Sequence, residues 1–391
     1  MDNIVIAGTK RTPIGRFQGA LSHLSAPQLG GLSIEGSLKH AGIDPHRIDE
    51  VYMGCVLPAG LGQAPARQAG MTGGIPKQTP ATTINKMCGS GMKAIMTGVD
   101  QLNLNQAEII VAGGMESMSR APLYCPDARI GKRLGHTKML DHMLIDGLTD
   151  AYGDHAHMGA FADDCATQYD ITREDQDKYA HESYCRALKA QVSGQARKEI
   201  MPAISSNGQT IELDEEPVEP NLEKMGKLLP VFKKRGTVTP ANSSKISDGA
   251  ASVVLGKETV IRKSENPVLA RIVGHDTFAQ EPGNFPTSPI YTVRNLLEKL
   301  SWKKEEVDLW EVNEAFAVVA LVFMKVLGIP LEKINVNGGA CSLGHPIGCS
   351  GARIVTSLVH GMHSRNARRG IAAICIGGGE ATSIALEISS P

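Results

Sequence analysis

The fold class this sequence predicts is α/β, in two similar halves separated by a long irregular excursion. Three observations carry it. Glycine supplies 42 of the 391 residues while aromatics make up only 4%, which points to close backbone packing. The chain also repeats itself. In the first half "CGSGMKAI" opens a helix that leads to "AEIIVAGGMESMS", and in the second "CSLGHPIGCSGARI" opens a helix that leads to "IAAICIGGGEATSIALEI". Both stretches run from a glycine-rich turn through a helix and a buried strand to a glycine cluster, the pattern of a duplicated βα unit. Third, the strands "EIIVAG" and "IAAICIG" are nearly all apolar, as central strands covered on both faces are.

Taken in chain order, "NIVIAG" is a strand. No basic segment, long apolar segment or Arg- and Ser-rich amphipathic leader precedes it, which predicts a cytoplasmic protein. "ATTIN" is a strand with β-branched Thr82, Thr83 and Ile84. The helix after it places Met92, Ile95, Met96 and Val99 on one face. Residues 121–245 differ in texture. "APLYCPDARIGKRLGHTKMLDHM" reads as loop, and "TREDQDKYAHESYCRALKAQ" as an amphipathic helix capped by Thr172. "LDEEPVEPNLEK" is acidic and punctuated by proline. The first domain resumes at "ISDGAASVVLG". The expected boundaries are 1–120 with 246–268 for the first domain, 121–245 for the loop domain and 269–391 for the second domain. A covering segment of this kind commonly binds the non-reacting part of a ligand.

Charge and cysteine usage narrow the function. A formal net charge of -1 gives no drive toward nucleic acid or an anionic membrane. The longest apolar run, "AFAVVALVFM", is too short to span a bilayer. The eight cysteines form no C-x-x-C or C-x-x-C/H-x-x-x-H pattern, so neither structural zinc nor a disulfide framework is expected. The strand-to-helix turn also lacks G-x-G-x-x-G, which argues against a dinucleotide oxidoreductase.

Three segments hold the chemistry. A lone cysteine is ordinarily a small buried hydrophobe. Cys88, however, stands where a strand ends and a helix begins. There the helix dipole and free N–H groups are expected to stabilise a thiolate and lower its pKa. In "WEVNEAFAVVA", Asn313 and Glu314 precede an apolar helix, with Asn313 as its expected N-cap. His345 lies in a turn among Gly338, Gly339, Gly344 and Gly348, which leaves few side chains to pack on it. Cys375 closes a buried strand before Gly377, Gly378 and Gly379, at the strand end where α/β sheets bind ligands. Two thiols and an imidazole at such ends suit covalent catalysis by a Cys–His pair, with a second thiol as base.

These motifs, with "RTPIG", "GQAPARQAG", "HMG" and "NEAFA", resemble the thiolases over essentially the whole chain, and most of all their short-chain, tetrameric acetyl-CoA acetyltransferase branch. The resemblance implies the thiolase fold: two duplicated α/β domains in an αβαβα core, plus a loop domain. It implies reversible condensation of two acetyl-CoA to acetoacetyl-CoA and CoA, through an acetylated cysteine and without a cofactor. Cys88 matches the nucleophile. His345 matches the base that then helps hold the enolate oxygen. Asn313 matches the residue orienting a water in that oxyanion hole. Cys375 matches the shuttle for the α-carbon proton. The N–H groups of Cys88 and Gly377 match the second oxyanion hole. Leu148, His157, Met158, Met225, Ser244, Ala315 and Phe316 match the wall around the CoA arm.

Departures from the family pattern are local. Val218 stands where many relatives carry an arginine for the CoA nucleotide, leaving Lys224 or Lys227 as candidates. Phe285-Pro286 resembles the mitochondrial acetoacetyl-CoA type, which accepts α-methyl branching. Pro217 follows the "DEE" step where that type has its potassium-binding tyrosine, so no metal is expected. The rivals are a ketoacyl synthase, which would put a histidine in place of Cys375, a broader-chain 3-ketoacyl-CoA thiolase of β-oxidation, and a non-catalytic acyl-CoA binding protein on the same scaffold. The expected partners are acyl-CoA substrates and further copies of the chain in a homotetramer.

Overall fold

A computed structural model describes residues 2–263 and 265–388. Nine strands make the path of the main sheet: Ile4–Arg11 (β1), Glu50–Gly54 (β2), Ala81–Ile84 (β3), Ile109–Ser117 (β4), Ser247–Lys257 (β5), Ala270–Ala279 (β6), Leu309–Val312 (β7), Arg369–Ile376 (β8) and Glu380–Glu387 (β9). Their order is β7-β8-β9-β6-β1-β5-β4-β2-β3. Read outward from the centre, each half repeats the other: β1-β5-β4-β2 against β6-β9-β8-β7. The halves join where β1 and β6 run antiparallel, with Val5 opposite Arg271. The duplication expected from the glycine-rich repeats is therefore an architectural one.

Helices supply the other layers: Ala26–Ala41 (α1), Ser90–Asn103 (α2), Met158–Gln168 (α3), Arg173–Val192 (α4), Ser288–Leu300 (α5), Ala317–Leu327 (α6) and Ile347–Arg365 (α7). α1 covers the outer face of the first half. α5 and α6 cover the outer face of the second. Between the two half-sheets lie α2 and α7, whose Met92, Ile95, Ile354 and Val355 share one core with Ile110, Val253, Ile374 and Ile384. The result is the expected αβαβα sandwich, with one central helix from each half. Thr172 caps α4 as expected, in a reciprocal capping box with Asp175. Among the described residues no helix is long and apolar enough to cross a membrane.

The central pair approach more closely than side chains would permit. A Cβ at Gly351 would lie 2.5 Å from the Met92 nitrogen, and one at Gly91 would lie 2.8 Å from the Ala352 nitrogen. Behind them, a Cβ at Gly114 on β4 would meet the Gly348 carbonyl at 2.0 Å. Glycine weakens a helix interior by about 1 kcal/mol, and backbone contact between the helices is what it permits here. Gly351→Ala is therefore expected to destabilise the protein by about 1–3 kcal/mol through overpacking. Urea unfolding checks this, and an unchanged midpoint would show that the helices can separate freely.

Candidate active site

A mostly apolar cavity of about 390 Å³ opens above the starts of α2 and α7. Cys88, His345, Cys375 and Gly377 all line it, as do Leu148, His157, Met158, Ser244, Phe285, Ala315 and Phe316. Each group arrives from a different part of the chain.

Cys88 lies one residue before Gly89, the N-cap of α2. Met87 before it adopts φ +47, a left-handed conformation a methionine rarely takes. The local hydrogen bonds enforce it. Asn85 Oδ1 accepts from Met87 N at 3.0 Å, and Ser90 Oγ accepts from Lys86 N at 2.8 Å while donating to Met87 O. Strain held this way is common where a backbone must present a reactive group.

The helix start does not dominate the thiol's acidity, contrary to the sequence-based expectation. Desolvation by the apolar cavity walls pushes half-buried Cys88 up to about 11, with only partial offset from the backbone N–H groups of Gly377 and of Cys88 itself, which face its sulfur. A thiol at about 11 is ionised in roughly one molecule in 10⁴ at pH 7, so a base is required. The two N–H groups are the pair expected at this sulfur. Gly377 begins the turn out of β8, where Gly378 and Gly379 adopt φ +93 and +85. A Cβ at Gly379 would strike the Gln280 carbonyl at 2.3 Å. An ion pair between Lys86 and Glu380 holds the two loops together.

His345 lines the same cavity as Cys88. Its backbone N–H donates to Lys245 O at 2.9 Å. Its Nδ1 lies 2.5 Å from Ser350 Oγ, which in turn donates to Pro346 O. Ser350 has spent its proton on that carbonyl, so Nδ1 carries the hydrogen and Nε2 is left with its lone pair. Nε2 is buried with no partner among the described residues. Burial holds the imidazole down at about 3, with a further push from Arg353. It is neutral at pH 7 and able to accept a proton.

Cys375, on β8, is also buried, and burial together with nearby Cys88 keeps it a thiol. Asn313 is placed differently from the expected N-cap. α6 begins only at Ala317, with Phe316 at its cap position, so Asn313 lies in the turn after β7. Its side chain is wholly buried, and neither Oδ1 nor Nδ2 has a partner among the described residues. The residues on either side are clamped. Asn335 bonds both backbone groups of Val312. Glu314 accepts from Tyr179, Ser183, Asn335 and Cys341 N at 2.8–3.0 Å.

The wall of the cavity depends on long-range pairing. Ser244 N donates to Ala315 O, and Ala317 N to Asn242 O. His157 caps α3 and stacks on Phe232 at 4.6 Å, and Phe232 packs edge-on against Phe316. Phe232 escaped sequence reasoning, since a lone aromatic in an irregular segment gives no periodic signal. Met225 does not reach the wall. It is buried in the core of the second half, where its carbonyl accepts from Arg173.

Two thiols and a neutral imidazole converge here on one apolar cavity, within a duplicated αβαβα core. The chain belongs to the thiolase family. It matches the N-terminal thiolase domain over residues 4–259 and the C-terminal thiolase domain over residues 266–388. Relatives span nearly all of it. It is 46% identical to the probable acetyl-CoA acetyltransferase of Dictyostelium discoideum, over 99% of this chain and 94% of that one. It is likewise 46% identical to acetyl-CoA acetyltransferase 2 of Arabidopsis thaliana, over 99% and 97%. With the probable acetyl-CoA acetyltransferase of Escherichia coli it shares 44% identity over 99% of both chains.

The protonated resting thiol has a direct consequence. Alkylation of Cys88 by iodoacetamide should still be accelerating between pH 8 and 10, because the thiolate fraction grows up to about 11. Peptide mapping against pH checks it. A rate already level at pH 7 would mean a preformed thiolate.

Proposed function

We propose that the protein is an acetyl-CoA C-acetyltransferase, catalysing the reversible condensation of two acetyl-CoA to acetoacetyl-CoA and CoA. The observation that supports it most is the meeting of Cys88, His345 and Cys375 in one apolar cavity, with two N–H groups at the nucleophilic sulfur. The printed names of the relatives agree with it.

Cys88 Sγ attacks the thioester carbonyl while its proton passes to His345 Nε2. The N–H groups of Cys88 and Gly377 take the oxyanion. As the carbonyl re-forms, the CoA sulfur leaves with the proton of Cys375. The Cys375 thiolate then removes an α-proton from the second acetyl-CoA. The enolate oxygen lies against the His345 imidazolium and a water oriented by Asn313, whose amide has no other partner among the described residues. The enolate carbon attacks acetyl-Cys88, and the nucleophile returns as a thiol by recovering the His345 proton. Run backwards, the same steps are thiolysis.

Residues 121–245 form the loop domain over CoA in this reading, with His157, Met158 and Ser244 along the pantetheine arm. Of the two lysines considered for the nucleotide, Lys227 is paired with Glu223, while Lys224 has no acidic partner among the described residues. Phe285, packed edge-on against Phe161, bounds the acyl end. Free thiols throughout, eight of them, fit a reducing cytoplasm.

Two half-reactions separate the thiols. Cys375→Ala should still acquire one acetyl group on Cys88 from acetyl-CoA. It should lose acetoacetyl-CoA formation and α-proton exchange by about 10²–10⁴-fold. Cys88→Ala should take up no label. Mass spectrometry and deuterium exchange on the same pair decide it. Loss of acetylation in folded Cys375→Ala would end the shuttle role.

The same reading makes the assembly a homotetramer, a dimer of dimers. Ile130, Leu134 and Met139 stand 89%, 90% and 66% exposed in the basic loop after β4, large apolar side chains suited to contact with another subunit. Light scattering should give four times 41.6 kDa. A fully active monomer would refute the assembly and leave the chemistry standing.

A further inference from the structure

We propose that Glu116 is a positioning residue for His345: from the end of β4, its carboxylate caps the helix that begins two residues after that imidazole. The inference rests on the reading of Cys88 and His345 as nucleophile and base. Glu116 lies at none of the reacting atoms and lines no part of the cavity, so any role in the reaction is exerted through its neighbours.

The geometry is specific. α7 starts at Ile347, behind Pro346 at the cap position, whose side chain cannot cap it. Its buried N–H at Gly348, left without a partner in the helix, donates instead to Glu116 Oε2 at 2.9 Å. A carboxylate at a helix start satisfies an orphan donor and complements the dipole. The same carboxylate accepts from Val56 N at 2.9 Å, Leu57 N at 3.1 Å and Cys55 Sγ at 3.5 Å. These belong to the chain leaving β2, which passes beneath the start of α2: a Cβ at Gly54 would lie 2.5 Å from the Ser90 carbonyl carbon. One side chain thus joins the mount of His345 to the mount of Cys88. The first turn of α7 is also where Ser350 fixes the imidazole tautomer, two residues beyond Gly348.

The bland alternative is a buried carboxylate that merely satisfies nearby backbone. It would cost stability when removed but would leave the chemistry of the folded enzyme alone. Titration separates the two. Burial pushes Glu116 up to about 7 despite the N–H groups that favour its charge. Below that pH one oxygen becomes a donor and a poorer acceptor, which weakens the set of bonds from Gly348, Val56 and Leu57. Activity should therefore fall as pH drops through about 7. The titratable groups facing it stay neutral through this range: Cys55 is pushed up by burial, Cys88 to about 11 and Cys349 to about 12, while His345 is held at about 3. The cations nearest Cys349 are Arg353 and Arg11. Asp248, on the adjacent β5, is raised by burial and accepts from Ser119 N.

The test is the pH dependence of kcat and KM for wild type, Glu116→Gln and Glu116→Asp, with acetylation of Cys88 followed in parallel. Glutamine keeps the size but points donors at N–H groups. Misplacing a reacting group by about 1 Å costs roughly 10²-fold. Glu116→Gln should lose kcat by that order, keep KM within about twofold and lose the acid limb near pH 7. Glu116→Asp, which retains a carboxylate, should recover part of kcat and keep an acid limb. Full kcat in Glu116→Gln, or an acid limb unchanged in it, overturns the proposal and leaves Asp248 as the titrating group to examine. If Glu116→Gln does not fold, an acid limb in Glu116→Asp at the wild-type position with wild-type kcat overturns it equally. Wild-type enzyme that is never acetylated on Cys88 would instead overturn the underlying reading.

Discussion

Everything in the site hangs on the contact between two central helices that cross backbone to backbone. Gly91 on α2 and Gly351 on α7 remove the side chains that would hold the axes apart. Packed helices usually stay 8–10 Å apart, a distance set by the side chains at the contact. With none present, the two helix starts come close enough for their preceding residues to share one cavity. One start brings Cys88 and the other brings His345. Neither half of the chain could assemble the pair alone, because each contributes one helix to the shared layer. The core on either side of the crossing, from Ile95 and Ile354 to Ile110 and Ile374, then fixes both helices against their own sheets.

Charge in this site is made during the reaction and is not stored beforehand. Burial favours the neutral form of Cys88, of Cys375 and of His345 alike. What the fold supplies in advance is direction. Two N–H groups face the sulfur, Ser350 fixes which imidazole nitrogen is free, and a rigid frame around Glu314 holds the turn that bears Asn313. Dipoles aimed before charge appears need no reorganisation when it does, and a low-dielectric surrounding strengthens them. The apolar wall of Phe232, Phe316, Met158 and Leu148 keeps that dielectric low.

The parts of this arrangement visible in the sequence are those with a local or periodic signature. Apolar runs gave β4 and β8, the Thr172 box gave α4, and glycine-flanked Cys88, His345 and Cys375 stood out because bare turns offer few packing roles. What was hidden depends on residues far apart in the chain. Cys88 looks acidic in sequence because a helix start is visible there, whereas the apolar cavity that desolvates its sulfur is not. Asn313 was read as a cap because the extended step through Ala315 and Phe316 is imposed by pairing with residues 242–244. Met225 sits near the right segment but faces the core. Phe232 gains its role only by stacking on His157, 75 positions earlier.

The duplication explains one pairing that neither half shows alone. The glycine cluster after β8 ends in Glu380, and the one within β4 ends in Glu116. Glu380, from the second half, pairs with Lys86 in the loop that presents Cys88. Glu116, from the first half, holds Gly348 in the turn after His345. Each half thus reaches across with a glutamate to steady the other's loop beside Cys88 or His345. The two ties are unequal in kind. The Lys86–Glu380 pair is partly exposed, and such pairs contribute about 1 kcal/mol or less. Glu116 is sealed off, accepts from three backbone N–H groups and has no cation among its hydrogen-bond partners. Loss of one acceptor there leaves buried donors unsatisfied, at about 1–3 kcal/mol each. The symmetric scaffold therefore places its stiffer tie on the histidine side. That is the side where, in the proposed reaction, the unpartnered Nε2 of His345 takes the Cys88 proton.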